Sequence, residues 1–184
     1  SERDVRHILV THCHQDHAGS LSAAKRATGE ESYLHAVDAE LVRRGESMRP
    51  VRPAPGLLGA VFYRMFLKGK PMERFAIPAA EADHEVGDGE TLAIAGGIEA
   101  IHVPGHCAGQ LAFLWQAHGG VLLAADAAAN FLGLRLSSVY EDVEIGRESL
   151  RKLASRDFEV AVFGHGGPIV GGAAGRFRAK WAAG

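Results

Sequence analysis

The chain is poor in cysteine, has no long apolar run and carries almost no net charge. Two cysteines among 184 residues, Cys13 and Cys107, do not make a disulfide framework and fit a reducing, cytoplasmic setting. No apolar run approaches the roughly 20 residues of a membrane-spanning helix. A formal net charge of −2 offers no global attraction to nucleic acid or to a membrane surface. The expected partner is therefore a small-molecule substrate, and nothing in the sequence speaks to oligomeric state. Ser1-Glu2-Arg3-Asp4 has none of the features of a secretory leader, and there is no internal repeat or low-complexity linker. What is left, 47% hydrophobic and 23% charged, suits one globular domain.

One stretch stands out against this ordinary composition. Residues 11–17 read Thr-His-Cys-His-Gln-Asp-His, packing four metal-ligand side chains, His12, His14, Asp16 and His17, into six positions. Val5–Val10 before it reads as a strand, and Ala18–Thr28 after it as a helix closed by Gly29. On extended backbone His12 and His14 point the same way. Asp16 and His17 follow the start of the turn and are free to face a second point. Imidazole and carboxylate are standard zinc ligands, and chance rarely clusters them so densely, so one loop can serve two neighbouring metal ions.

The rest of the chain alternates strands and helices. Ser32–His35 is predicted as a strand. Ala36–Arg44 is a predicted helix, with Asp38 and Glu40 early and Arg43 and Arg44 late, as its dipole favours. Residues 45–78 hold Pro50, Pro53 and Pro55, then a helix-period apolar stripe at 57, 58, 61, 62, 65 and 66. This segment reads as an insertion, either a lid over a site or a packed surface helix. Its basic residues, with Arg43 and Arg44 just before them (Arg49, Arg52, Arg64, Lys68, Lys70, Arg74), are most simply a solvated face. A clamp for an anionic substrate and a nucleic-acid footprint are the sharper readings. Predicted strands follow at 83–86, 91–95, 98–103, 111–115, 121–125 and 159–163, with a Gly96-Gly97 hairpin turn and helices at 142–154 and 173–183.

Three further candidates share one grammar: His106, Asp126 and His165 each sit just past an apolar strand, where loops at one sheet edge can gather them. His7, His35, His84, His102 and His118 match no such position and read as structural or surface residues. Tyr63 and Tyr140 are candidates for orienting substrate, though buried structural tyrosine is the commoner role. Cys13 and Cys107 read first as small buried filler and second as thiols beside a metal.

His-x-His-x-Asp-His after a hydrophobic strand, followed by His106, Asp126 and His165, resembles the signature of the metallo-β-lactamase superfamily. The resemblance covers nearly the whole chain. It implies an α/β fold, the four-layer αββα sandwich, as a single domain over 1–184 with 45–78 an insertion or lid-like segment. It assigns His12, His14 and His106 to a first metal, Asp16, His17 and His165 to a second, and Asp126 as a bridge. The implied cofactor is two Zn2+, with iron or manganese as alternatives. Two such ions about 3.5–4 Å apart hold a water and bring its pKa down to about 7. Asp16 would also be catalytic, orienting the metal-bridged hydroxide or handling a proton.

The implied activity is hydrolysis of a small ester, thioester or lactone. Class B β-lactamases of this signature usually place cysteine where Asp126 stands, and flavodiiron relatives place glutamate where His14 stands. The full set is similar to the hydroxyacylglutathione hydrolase (glyoxalase II) and lactonase branches. RNase-Z-like nucleases share the first motif, but no further nuclease signature is present. Two alternatives remain: a mono-iron persulfide dioxygenase using His12, His106 and Asp126, and an inactive, truncated metal-binding relic. Truncation is expected because family members usually carry roughly 40–60 residues before the metal motif. A second departure is Ala125, where relatives often have glycine before the aspartate.

Overall fold

In chain order the first half runs β1 (Ile8–Leu9), α1 (Gln15–Ala18), α2 (Leu21–Thr28), β2 (Ser32–Leu34), α3 (Ala36–Arg43), β3 (Arg52–Pro53), α4 (Leu57–Phe66) and β4 (His84–Glu85). The second half runs β5 (Thr91–Leu92), β6 (Ile98–His102), β7 (Leu111–Trp115), β8 (Val121–Ala125), β9 (Ala129–Asn130), β10 (Leu134–Arg135), β11 (Val139–Tyr140), α5 (Val143–Ala154), β12 (Val160–Phe163), β13 (Ile169–Val170) and α6 (Ala173–Trp181). This computed structural model describes residues 2–182. The expectations for Ser1 and for the helix end at Ala183 lie outside the described residues.

The strands form two main sheets. β1, β2 and β4 make a small parallel sheet, and the larger sheet has six strands in the order β13-β12-β8-β7-β6-β5. The alternation of side chains along a strand sorts its apolar residues between two cores. From β6 and β7, Ile98, Ala100, Leu111 and Phe113 face the small sheet and pack with Leu9 and Tyr33. Ile101, Ala112 and Leu114 face the other way, onto Leu150 and Leu153 of α5 and Phe177 of α6. A third core lies outside the small sheet, where Leu21 of α2 and Leu41 and Val42 of α3 cover Val10 and Leu34. The layers are thus helix, sheet, sheet, helix: the αββα sandwich.

Several boundaries differ from the sequence expectation, each for a local reason. The helix predicted over 18–28 is two helices, broken at Gly19-Ser20, where weak helix formers meet. Its first piece starts at Gln15, so Asp16 and His17 stand on helical backbone. The strand predicted over 91–95 stops at Leu92, because Ala95 turns at φ 49° into Gly96 and Gly97. Asp142 lies outside the helix it was expected to begin. It caps α5, its carboxylate accepting from Glu144 N at 2.9 Å and Ile145 N at 3.0 Å, which satisfies otherwise unpaired amides.

Residues 45–78 leave and rejoin the body at one point, where Ile77 N donates to Gly45 O at 2.9 Å. Within this excursion β3 pairs antiparallel with β11, Arg52 opposite Tyr140 and Pro53 opposite Val139. That pairing delivers α4 to the rim where β6, β8 and β12 end. Gly59, the one buried residue of α4, seats the helix; a side chain there would meet Ala54 O at 2.4 Å.

Candidate metal centre

The loop after β1 is held between the sheets. Leu111 N donates to Thr11 O at 2.8 Å, and the neighbouring Thr11 hydroxyl lies 3.1 Å from His12 Nδ1 and 3.3 Å from His17 Nδ1. Both rings are thereby oriented with Nε2 directed away from the loop. His106, past the end of β6, is fixed in the same way by Val139 O, 2.7 Å from its Nδ1. Its Nε2 lies 3.0 Å from His14 Nδ1. His12, His14 and His106 together offer three ring nitrogens within 4.8 Å of one another.

A second group of three lies beside the first: Asp16, His17 and His165, again with ligand atoms within 4.8 Å. Asp126 stands between the two. Its Oδ2 is 3.6 Å from His106 Nε2 and 3.3 Å from His165 Nε2, and its Oδ1 is 3.5 Å from His17 Nε2. The parallel pairing of β8 with β12 shifts register beside Phe163 and Ala125, and this irregularity aims Asp126 inward. Gly164 makes the approach possible, since a Cβ there would lie 2.0 Å from Asp126 Oδ1. All seven positions singled out in the sequence therefore converge at one rim, Asp16 and His17 from α1 and the other five from the loops around it.

The electrostatics of the first donor group suit cation binding. Burial, then neighbouring histidines, pushes His12 well below the ordinary imidazole range, and burial with His106 pushes His14 down to about 3. Burial also lowers His106. These imidazoles are neutral at pH 7 and keep lone pairs for a ligand. In the second group, hydrogen bonds to Asp126 and then to Asp16 raise His165 to about 10, and the bond from His165 holds Asp16 well below the usual carboxylate range, so an ion enters this group by displacing the His165 proton. His12 Nε2 and Asp126 Oδ1 are buried with no hydrogen-bond partner. Orphaned buried acceptors are rare and need an explanation. Two of them aimed into one ring of histidines and carboxylates fit a metal ion of borderline softness.

Beneath this ring lies a network that the sequence did not reveal. Asp38 is fully buried. Its carboxylate accepts from Cys13 N at 3.0 Å, Gly109 N at 3.1 Å and Arg49 Nη1 at 2.8 Å, and Arg49 also reaches Glu141 at 3.2 Å. Asp38 thus ties the first histidine loop to the loop after His106, a supporting role typical of groups behind metal ligands. One signal for it exists in the sequence: Asp38 shares the buried stripe of α3 with Leu41 and Val42. Cys13 and Cys107 are buried, their sulfurs 3.3 Å apart, with Cys107 Sγ 3.9 Å from His14 Nε2. They could join Asp38 in holding an ion, but the carboxylate is already taken by Arg49 and two amides.

The remaining residues fall outside the ring. His102 bonds Ala108 O at 2.8 Å and stacks on His35. His84 pairs with Glu31, while His7 and His118 contact Tyr33 and Trp115. Tyr140 is fully buried and its hydroxyl bridges Ser137 N and Ala127 O, so it serves the fold. Among the basic residues, Arg43 and Arg44 pair with Glu40 and Glu46. Above the ring opens a cavity of about 720 Å³, with His14, Asp16, His106, Asp126 and His165 in its wall.

Residues 1–165 match the family model described as the metallo-beta-lactamase superfamily. The chain belongs to that superfamily. Its similarity to known proteins is distant. It is 29% identical to the uncharacterized protein YobT of Bacillus subtilis (strain 168) over 126 residues, 68% of this chain and 47% of YobT. The metallo-beta-lactamase family protein TTHA1429 of Thermus thermophilus superposes with a TM-score of 0.66 at 27% identity, covering 98% of this chain and 61% of that one. The metallo-beta-lactamase SMB-1, solved bound to 2-mercaptoethanesulfonate, gives 0.68 at 21%, covering 99% and 73%. The chain thus spans about half the length of YobT. Superfamily membership accounts for the αββα sandwich; among the described residues no helix is long and apolar enough to cross a membrane.

Proposed function

We propose that this chain is a dinuclear metal-dependent hydrolase of esters, thioesters or lactones, of the glyoxalase II and lactonase type, with zinc as its metal. The observation that carries the reading is the pairing of two three-residue donor groups about one shared carboxylate, Asp126. In this reading His12, His14 and His106 would hold one ion and Asp16, His17 and His165 the other, with Asp126 available to either. When bound, such a pair supplies a water of near-neutral pKa and polarises the substrate oxygen.

The chain's own residues do the rest. Thr11 and Val139 O fix the rings of His12, His17 and His106, so ligand geometry is set before metal arrives. Asp16 lines the cavity and is 58% exposed, which places its carboxylate to orient the attacking water; held in its charged form by His165, it is suited to orienting rather than to taking the proton. The water adds to the carbonyl carbon, the bond to the leaving oxygen or sulfur breaks, and the proton passes to the leaving group. The apolar walls thin the water around the reacting carbonyl. Aspartate at position 126, rather than cysteine, favours this branch over β-lactam hydrolysis.

The test is metal analysis of protein purified without any one metal added, with turnover of thioester, lactone, phosphodiester and β-lactam panels. Two zinc ions per chain and thioester or lactone turnover are expected. His12→Ala and Asp126→Ala should each abolish both, while His118→Asn, far from the ring, should change neither. One iron per chain, or activity surviving both ligand substitutions, would overturn the assignment.

A further inference from the structure

We propose that the cavity over the metal ring binds an amphiphilic acyl substrate: an ester or thioester whose apolar chain lies along α4 and whose anionic group pairs with Arg135. This rests on the hydrolase reading above and names its substrate class. The first observation is α4 itself. Leu58, Val61, Phe62, Met65 and Phe66 are 39–64% exposed, yet all five belong to the wall of the cavity that contains His14, Asp16 and His165. A helix serving only the fold would bury such residues, since each large apolar side chain taken from water gives roughly 1.5–3 kcal/mol. Here the helix is seated through Gly59 and leaves its apolar stripe to the cavity.

The second observation is charge. Arg135 is half-buried on β10 and lines the same cavity. Among the described residues it has no hydrogen bond or ion pair, whereas Arg43, Arg44, Arg49, Arg156 and Arg178 all have carboxylate partners. The cavity's own carboxylates, Asp16 and Asp126, are engaged with His165. A guanidinium partly removed from water and facing a pocket is made for a planar anion. Arg74, exposed at the same wall, adds to the positive field. The volume of about 720 Å³ lies within the range of roughly 300–1,000 Å³ for small-molecule sites. Because apolar wall, cation and metal ring share one cavity, the occupant is a substrate rather than a partner protein.

The experiment uses the zinc-loaded chain and two kinds of probe. With p-nitrophenyl acetate, butyrate, hexanoate and octanoate, kcat/KM should rise about fourfold per methylene, the equivalent of ~0.8 kcal/mol per buried CH2. Phe62→Ser and Met65→Ser, at exposed positions that tolerate polarity, should flatten that slope. By calorimetry, octanesulfonate should bind at least tenfold more weakly to Arg135→Gln, with affinity partly restored in Arg135→Lys and octanol affinity unaltered. A flat slope with measurable acetate turnover would overturn the acyl-chain assignment and leave the hydrolase reading standing. Unchanged octanesulfonate affinity in Arg135→Gln would overturn the anion assignment. No ester turnover, with Arg135-dependent binding intact, would sink the hydrolase reading and keep the pocket. A flat slope together with a dimer that Met65→Ser dissociates would give the face to a second copy.

Discussion

At the scale of single residues, the convergence of the seven candidates was legible because their pattern in the sequence is local. His12, His14, Asp16 and His17 lie within six positions, and the three later candidates each follow a recognisable strand. Asp38, Arg49 and Glu141 were not legible, because they meet across 11 and 92 residues of sequence and no spacing rule links them. Their energetics are strong nonetheless. Burial opposes the charge of Arg49, but Asp38 and Glu141 more than offset it and hold its pKa above the ordinary value. Arg49→Gln would leave the fully buried Asp38 with only its two amide partners. It should destabilise the protein by about 3 kcal/mol, the lower end for breaking a buried pair because Arg49 is itself partly exposed. Urea denaturation measures this, and a loss below about 1 kcal/mol, the scale of an exposed ion pair, would show that the network is dispensable.

Ala125, beside Asp126, holds a strained backbone conformation. It sits at φ 47°, in the left-handed region that L side chains enter at a cost of roughly 1–2 kcal/mol. The expected effect of alanine here was a slight tightening of the backbone, and the conformation is one that glycine enters without cost. Ala125→Gly relieves that strain but adds freedom to the unfolded chain. A net gain of up to about 1 kcal/mol is expected from the balance of these two effects, read from the denaturation midpoint at unchanged slope. A loss would mean that the backbone here is not strained.

At the scale of elements, helices and long strands were read closely while two-residue strands were not. β7 and β8 matched their predicted limits, since each is a continuous five-residue apolar run bounded by glycine or polar residues. β3, β9, β10, β11 and β13 are two residues each, too short to show any alternation. α4 was visible as a helix, but its place at the metal rim depends on the pairing of β3 with β11. In the small parallel sheet, side chains supplement few backbone bonds. Asp83 accepts from Ser32 N and Ser32 Oγ, both at 2.8 Å, and pairs with Lys25 at 2.7 Å. The Lys25 hydrogen bond, with those from Ser32, brings the Asp83 pKa from 3.8 down to about 2. A carboxylate depressed on folding stabilises above its unfolded pKa, and the effect fades as pH falls through 3.8 toward 2. Asp83→Asn should therefore lower stability at pH 7, by about 1 kcal/mol or less because the site is solvent-screened. Near pH 2 the variant and the parent should coincide; an equal difference at both pH values would assign the effect to packing instead.

For the whole molecule, the ring of candidate ligands draws side chains from layers that otherwise touch mainly through one apolar core. His12, His14, Asp16 and His17 follow β1 of the small sheet. His106, Asp126 and His165 follow β6, β8 and β12 of the large one. An ion held by His12, His14 and His106 would therefore tie the two sheets together, with Asp126 lying between that group and the second. Without metal, His12 Nε2 and Asp126 Oδ1 stay buried without partners, each costing roughly 1–3 kcal/mol. Metal binding to the folded state alone adds RT ln(1 + [L]/Kd), about 4 kcal/mol when free metal is a thousandfold above Kd. Chelation should then lower Tm by many degrees, and added zinc should restore it. In His12→Ala the first donor group is incomplete, so its Tm should already be low and should move little with chelator. A parent Tm insensitive to chelator would mean that the two sheets hold together without the ions, and that the seven side chains converge for some purpose other than binding metal.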